Sequence, residues 1–230
     1  NPVIAYEDGT NRTLNVAICS DPACSSATLA VVDGSVLSRE LSIAIGDDGN
    51  PVISHRIGSY YNRGLYVTAC ANPTCSSVTQ TRIDIEAEGG SRTSIAIGDD
   101  GNPVISYRAA GGLWMAKCSN PTCTSSTLAS VDTENAGLGW FSSIAIGTDG
   151  NPVISYLDSI NETLKVAVCD DPACESATVR TLGASSPVGS FVSASILIGT
   201  DGNPVISYFF NPGDSHTQID VGTLNVAACN

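Results

Sequence analysis

Cysteine supplies the most regular chemistry in this sequence. Nine cysteines occur, and eight of them form pairs in which four residues separate the two thiols. A disulfide within such a pair would close a short loop and contribute roughly 2 kcal/mol by chain entropy. We therefore predict four disulfides and an oxidising compartment, either extracellular or at the cell surface. The pairs are Cys19 with Cys24, Cys70 with Cys75, Cys118 with Cys123, and Cys169 with Cys174.

Two other states of these cysteines are possible from the sequence. Four thiolates from two repeats could bind zinc, or the thiols could stay free in the cytosol. The pairing recurs in every complete repeat, and the two histidines, His55 and His216, lie outside these turns, so disulfides are favoured. Cys229 stands at the first position of a fifth pair, one residue before the last. It predicts a longer chain, an intermolecular disulfide or a free thiol.

Acidic residues could supply two further kinds of chemistry. Glu86 with Glu88, or Asp132 with Glu134, could act as the carboxylate pair of a glycosidase. The Asp-Gly turns could offer oxygen ligands to calcium, but a turn-forming role is sufficient reason for their aspartates. The sequence contains no GxSxG, HExxH or phosphate-binding glycine loop. We predict no enzyme, no metal and no cofactor. The turn aspartates are Asp47, Asp48, Asp99, Asp100, Asp149 and Asp201.

Aromatic and arginine side chains in the variable connections are the best candidates for contact with a ligand, because such side chains anchor partners. The alternative is that they cap the core or stabilise neighbouring loops. A repetitive lectin would be expected to repeat a sugar-stacking aromatic in every unit, and this sequence does not. The candidates are Tyr60, Tyr61, Arg63, Trp140, Phe209, Phe210 and His216.

Composition restricts the class of partner. Ten Lys and Arg stand against 23 Asp and Glu, which gives a net charge of -13 over 230 residues. Such a charge repels phosphate backbones and anionic lipid, so we predict no nucleic-acid partner. The sequence has no run of 18 apolar residues and therefore no predicted membrane span.

A repeated module must position all of these residues. Asn-Pro-Val begins at residues 1, 50, 102, 151 and 203, and a period near fifty residues is typical of propeller blades. Each full unit carries four short strand signals, and the connection DDGN or TDGN between the first two predicts a hairpin. We predict an all-β chain, a β-propeller of four-stranded antiparallel blades with about five repeats. A right-handed β-helix is the alternative.

The phrase SIAIGxDGNPVISY followed by LxVAxCxxPxC resembles the repeats of secreted, highly repetitive bacterial β-propeller proteins. The resemblance covers essentially the whole chain and implies an extracellular propeller, but it implies no catalytic or binding residue. We predict a single domain over 1–230 whose first and last units are incomplete, each with three strands. The unit boundaries are 1–34, 35–86, 87–135, 136–184 and 185–230.

These patterns favour a non-enzymatic extracellular structural protein. Incomplete blades at both ends would expose strand edges, and the exposed edges together with Cys229 predict self-association head to tail into a filament or surface layer, or a longer repeat array. The alternative is a secreted binding module that presents its variable connections to a glycan or protein ligand.

Overall fold

The computed structural model describes residues 1–34, 38–59, 62–84, 91–109, 111–182, 190–211 and 225–228. These residues form eighteen β-strands in five antiparallel sheets. The all-β class and the antiparallel sheets are therefore confirmed. The number of blades and the boundaries of the repeat units stay predictions. None of the described segments contains a helix with the length and hydropathy of a membrane span.

The strands follow one another in chain order within every sheet. Sheet 1 contains β1 (Val3–Asp8), β2 (Thr13–Cys19) and β3 (Ala27–Asp33). Sheet 2 contains β4 (Ser38–Ile45), β5 (Pro51–Ser59), β6 (Asn62–Cys70) and β7 (Val78–Asp84). Sheet 3 contains β8 (Ser91–Ile97), β9 (Pro103–Ala109), β10 (Gly112–Cys118) and β11 (Ser126–Asp132).

The last two sheets repeat the same order. Sheet 4 contains β12 (Trp140–Ile146), β13 (Pro152–Asp158), β14 (Thr163–Cys169) and β15 (Ala177–Thr181). Sheet 5 contains β16 (Ser190–Ile198), β17 (Pro204–Asn211) and β18 (Asn225–Ala228).

The predicted Asp-Gly hairpins join the first two strands of sheets 2 to 5. In the first of them the Asp48 carboxylate accepts a hydrogen bond from the Asn50 backbone N–H at 2.9 Å, and the Gly46 N–H donates to the Asn50 carbonyl at 2.9 Å. Gly49 lies at φ 79°, a left-handed conformation that glycine adopts without steric cost. Side chain and backbone thus specify the same turn, which fixes the register of each hairpin.

Consecutive sheets pack face to face through apolar side chains. One fully buried isoleucine in the second strand of a sheet lies against two apolar residues of the preceding sheet, and this contact recurs four times. Ile53 packs with Leu14 and Val16, Ile105 with Leu65 and Val67, Ile154 with Leu113 and Met115, and Ile206 with Leu164 and Val166. The alternation of each strand therefore buries both faces of the middle sheets.

The first strands of sheets 2 to 5, which we call the inner strands, contact one another in the order β4, β8, β12 and β16. A serine on each inner strand accepts a hydrogen bond from a backbone N–H of the next. Ser42 accepts from Ile95 at 3.2 Å, Ser94 from Ile144 at 3.3 Å, and Ser143 from Ile196 at 3.2 Å. These bonds hold the four inner strands side by side.

Disulfides join the four cysteine pairs of the sequence, with Cα atoms 4.8 to 4.9 Å apart. Each disulfide spans the turn before the last strand of sheets 1 to 4. The second cysteine of each pair has a positive φ, between 50° and 55°, because the turn reverses the chain within a few residues. Cys229 lies outside the described residues.

Candidate functional site

All four inner strands carry a β-bulge near the end where they begin. The pairing of β4, β8, β12 and β16 with the following strand shifts register at this point. Inside the bulges, Glu40 and Arg92 lie at φ 56° and Phe141 at φ 51°. Bulky side chains are uncommon in this left-handed region, and bulges redirect the side chains that they contain. Three chemically different side chains are therefore turned in the same way at equivalent positions of the repeat.

A cavity of about 220 Å³ lies where these bulges meet. We call it the central pocket. Each of the four inner strands contributes two consecutive residues to its wall. The lining residues are Glu40, Leu41, Arg92, Thr93, Phe141, Ser142, Ser193 and Ala194.

Arg92 contacts wall residues on both neighbouring inner strands, Glu40 on β4 and Phe141 on β12. Its backbone N–H donates to Glu40 Oε2 at 2.7 Å, and its Nε lies 3.7 Å from Glu40 Oε1. Its guanidinium carbon lies 4.4 Å from the centre of the Phe141 ring and 5.1 Å from that of Trp140. The side chains of Arg92 and Glu40 remain 33% and 25% exposed. A carboxylate, a guanidinium and an aromatic ring thus meet at a surface that a ligand can reach.

Trp140 stands beside the pocket, next to Phe141 in the chain. Its ring centre lies 6.3 Å from that of Phe141 and 4.8 Å from the guanidinium carbon of Arg108, which donates to the Ala136 carbonyl at 3.0 Å. Arginine over an indole face is attracted by the ring quadrupole. Trp140 therefore contacts two arginines, and it is the predicted contact residue that the structure brings to the pocket.

Two hydroxyl groups of the wall, those of Ser142 and Thr93, are engaged in structural hydrogen bonds. Ser142 Oγ donates to the Arg92 carbonyl at 2.8 Å and accepts from Ser106 Oγ at 3.1 Å. Thr93 Oγ1 donates to Ser54 Oγ at 2.8 Å. The chemistry that the described wall offers to a ligand consequently belongs to Glu40, Arg92, the Phe141 ring and the exposed Ser193.

The other predicted contact residues cannot be placed around this pocket. Tyr60, Tyr61 and His216 lie outside the described residues. Arg63 belongs to β6, and Phe209 and Phe210 belong to β17, but their side chains lie outside the description. Their role in ligand contact stays a prediction.

The predicted carboxylate pair of Asp132 and Glu134 belongs to a buried ionic cluster. Lys165 Nζ donates to Asp132 Oδ2 at 2.7 Å, and the Tyr156 hydroxyl donates to the same oxygen at 2.6 Å. Burial, with the Asp132 carboxylate adding to it, raises the pKa of Tyr156. Asp132 is only 6% exposed, so this carboxylate braces sheet 3 against sheet 4 and is withheld from a ligand. Glu86 and Glu88 lie outside the described residues.

A second cavity, of about 210 Å³, lies at the hairpin ends of sheets 3 and 4. Asp99, Asp100 and Asp149 line it together with Lys117, whose ammonium donates to Asp100 Oδ1 at 2.6 Å. Partial burial opposes ionisation of Asp100, but the bonds from Lys117 and Asn102 outweigh it and lower its pKa. Across the described segments, no group of three His, Cys, Asp or Glu could hold a metal ion.

Sequence reasoning missed Glu40, Arg92 and Phe141, although a signal was present. Two residues before the serine of the repeated SIAIG phrase, the chain has Glu40, Arg92 and Phe141 in three units and Ser193 in the next. The SIAIG phrase that follows repeats almost unchanged, whereas the residues just before its serine differ between units. Variable positions next to a constant phrase in the same strand indicate that the fold does not determine the side chains there.

Neither known protein families nor curated proteins contain a match to this chain. Solved structures do resemble it. A protein of unknown function from Dyadobacter fermentans has a TM-score of 0.61 and 11% identity, over 95% of this chain and 72% of that one. A thermostable family-43 glycoside hydrolase has a TM-score of 0.56 and 13% identity, over 98% and 85%. An α-L-arabinanase from Penicillium chrysogenum, solved with arabinobiose, has a TM-score of 0.58 and 8% identity, over 83% and 62%.

The family-43 structures are β-propellers. This chain has a β-propeller fold. At such low identity the likeness shows the fold alone, and the predicted kinship with one group of secreted bacterial repeat proteins is not confirmed. Four disulfides are typical of an oxidising compartment, which agrees in part with the predicted localisation.

The prediction of a non-enzymatic structural protein that assembles into a filament or surface layer is wrong. The solved structures that share the fold of this chain include glycoside hydrolases. The prediction rested on the positions that recur between repeats. The bulge residues Glu40, Arg92 and Phe141 differ between repeats and lie within strands. The alternative, a secreted module that presents its variable connections to a ligand, stays a prediction. Self-association and the lack of an enzymatic activity stay predictions.

Proposed function

We propose that this protein acts on carbohydrate and holds a glycan in the central pocket. The observation that carries the proposal is the convergence of Glu40, Arg92 and Phe141 on one accessible cavity, each from a bulge at the same position of the repeat. A repeat fold does not need three different side chains there, whereas an asymmetric ligand does.

These three groups match the chemistry of a sugar ring. The apolar face of a sugar can stack on the face of the Phe141 ring that Arg92 does not cover, as apolar bodies do on aromatic faces. Its hydroxyl groups can donate to the Glu40 carboxylate and accept from the Arg92 guanidinium. The cavity, at about 220 Å³, is smaller than the roughly 300 to 1,000 Å³ of pockets for drug-sized ligands. We therefore propose that it receives one sugar residue of a chain.

The fold supports the same proposal. Its neighbours include a family-43 glycoside hydrolase and an α-L-arabinanase, and we infer a polysaccharide as the natural ligand of this chain too. We also propose that the five sheets are the blades of a five-bladed propeller. The disulfides suit an extracellular protein, and that is where such polysaccharides are encountered.

Hydrolysis needs more than the described pocket supplies. Glycosidases generally use two carboxyl groups separated by about 5 to 9.5 Å, and Glu40 is the one carboxylate in the described wall. Glu86 and Glu88 precede β8 in the chain and lie outside the described residues. Binding and cleavage are therefore measured separately, and Glu86→Gln and Glu88→Gln variants show whether any cleavage depends on them.

The test is binding of the intact protein to arabinan, xylan, galactan and polygalacturonate by affinity electrophoresis and calorimetry, with release of reducing ends recorded in parallel. Phe141→Ala removes the stacking ring from the pocket. Leu128→Ala is the matched control, because Leu128 is 40% exposed on the outer strand β11, far from the inner strands. Thermal unfolding of both variants checks that the fold is retained.

We expect at least one polysaccharide to bind the wild type and the Leu128→Ala variant equally, and the Phe141→Ala variant at least tenfold more weakly. Failure of every polysaccharide to bind would refute the proposal. Equal binding by the folded Phe141→Ala variant would also refute it, because the ligand would then occupy another surface.

A further inference from the structure

Basic residues are concentrated at the pocket end of sheets 2 and 3. The whole chain has ten Lys and Arg against 23 Asp and Glu. Four arginines nevertheless lie on the first two strands of these sheets: Arg39 on β4 pairs in register with Arg56 on β5, Arg92 lies in the bulge of β8, and Arg108 lies on β9. In the described wall of the pocket, Glu40 is the single carboxylate. Four guanidinium groups thus lie on the strands that lead to a wall with one described carboxylate, while Asp84 and Asp132 end the outer strands of the same two sheets.

Two of these arginines have unsatisfied donors. The Nε atoms of Arg56 and Arg92 are buried and have no hydrogen-bond partner within the described structure. Most buried polar groups in native proteins are paired, and an unpaired one needs an explanation. The Glu40 carboxylate lies 3.7 Å from Arg92 Nε, too far for a hydrogen bond. Arg92 is therefore positioned by its neighbours, and the third of its side chain that remains exposed can reach a ligand.

Trp140 brings two positively charged side chains close to one ring. The guanidinium groups of Arg92 and Arg108 both lie against Trp140, with their carbons 5.1 and 4.8 Å from its ring centre. Two like charges on one indole repel each other, and an anion between or beside them would relieve that repulsion. The planar guanidinium fork matches the geometry of a carboxylate and binds it through two parallel hydrogen bonds.

We propose that the glycan held in the central pocket carries a carboxylate, as a uronic acid residue does, and that Arg92 receives it. This inference rests on the proposed function and adds the class of sugar. Arg56 and Arg108 contribute positive potential, and Phe141 supports the sugar ring. Glu40 orients Arg92 through the Arg92 backbone N–H and also opposes the incoming anion. It follows that removal of the two charges should change affinity in opposite directions.

The experiment compares polygalacturonate oligosaccharides with the same oligosaccharides after chemical reduction of their carboxyl groups. The pair differs in charge and keeps the sugar stereochemistry. Dissociation constants are measured by calorimetry at low and high NaCl concentrations for the wild type, Arg92→Gln and Glu40→Gln, with a sulfated galactan as a second anion. Thermal unfolding confirms that each variant is folded.

We expect the carboxylate form to bind roughly 10 to 100 times more tightly than the reduced form, as for hydrogen bonds to charged groups. Arg92→Gln should remove this preference, and Glu40→Gln should strengthen binding of the acidic form roughly threefold to tenfold. High salt should weaken binding of the acidic form and leave that of the reduced form unchanged.

Equal binding of the acidic and reduced forms would overturn this inference and leave the proposed function standing. Equal binding of the sulfated galactan would also overturn it, because the site would then select any anion. Weaker binding of the acidic form by Glu40→Gln would contradict the assigned roles of the two charges. If no form binds and the neutral polysaccharides also fail to bind, the proposed function itself is refuted.

Discussion

His55 makes the stability of this protein depend on pH between about 4 and 6.5, a range in which titration of the carboxylates of the protein contributes little. Its side chain is fully buried at a position where sheets 3 and 4 have Tyr107 and Tyr156. His55 Nε2 lies 2.9 Å from Thr68 Oγ1, and His55 Nδ1 has no hydrogen-bond partner within the described structure. Burial lowers the pKa of His55 to about 4, although the nearby Asp33 charge opposes this shift. The folded protein therefore keeps this imidazole neutral.

The sign and size of the effect follow from proton linkage. An unfolded histidine binds a proton near pH 6.5, whereas folded His55 does so near pH 4. Between these values the unfolded state binds more protons, so stability is complete above pH 6.5 and falls as the pH is lowered. Each pH unit corresponds to about 1.4 kcal/mol, and the loss between pH 7 and pH 5 is about 2 kcal/mol. For a chain of this length we expect the melting temperature to fall by roughly 4 to 8 °C.

The variant that tests this reasoning restores the residues found in the other sheets. His55→Tyr with Thr68→Ala recreates the Tyr107 and Ala116 combination of sheet 3 and removes the buried imidazole. Urea unfolding at pH 5, 6 and 7 should show the loss of about 2 kcal/mol in the wild type and little change in the double variant. Identical pH profiles for the two proteins would refute the assignment of the effect to His55.

Three further predictions use the same unfolding assay. Asp132→Ala should lower the free energy of unfolding by about 3 to 5 kcal/mol, because it leaves the buried Lys165 ammonium unpaired. Adding Lys165→Met should recover most of this loss. A loss below about 1 kcal/mol would contradict the role of Asp132 in bracing sheet 3 against sheet 4. Replacing Cys118 and Cys123 with alanine should cost about 2 kcal/mol, and no change would contradict it. Arg92→Gly should keep stability within about 1 kcal/mol while weakening binding of acidic glycan; severe destabilisation would make Arg92 a structural brace instead.

Local features of the fold were predictable because neighbours in the chain determine them. The Asp-Gly hairpins depend on a side chain that bonds the backbone two residues later, as Asp48 does with Asn50, and on glycine at positive φ. The disulfides join cysteines five positions apart, so the turn alone brings them together. Strand alternation then predicts which faces are buried, and sheets follow from hairpins.

The central pocket was not predictable by the same reasoning because its parts come from different sheets. Glu40 and Arg92 are one repeat apart, and only the contact between β4 and β8 shows that they meet. Trp140 was selected for its aromatic character, and its contact with Arg92 depends on the packing of sheet 4 against sheet 3. The buried role of Asp132 was equally hidden, since its partner Lys165 belongs to the next sheet.

Backbone strain gives an independent reason to regard the bulge residues as functional. A left-handed conformation costs a residue with a side chain about 1 to 2 kcal/mol, and this chain uses glycine for it at Gly49, Gly101 and Gly150. The second cysteine of each disulfide is also left-handed, and there the side chain is needed for the bond. Arg12 and Glu162 are also left-handed, and there the reversal of the chain between two strands is sufficient reason. Glu40, Arg92 and Phe141 lie inside strands, and we infer that they accept the cost because their side chains are needed. Since they differ while their strands repeat, they make a nearly symmetric set of inner strands asymmetric, and a sugar ring, whose hydroxyl groups point in unequal directions, requires such a site.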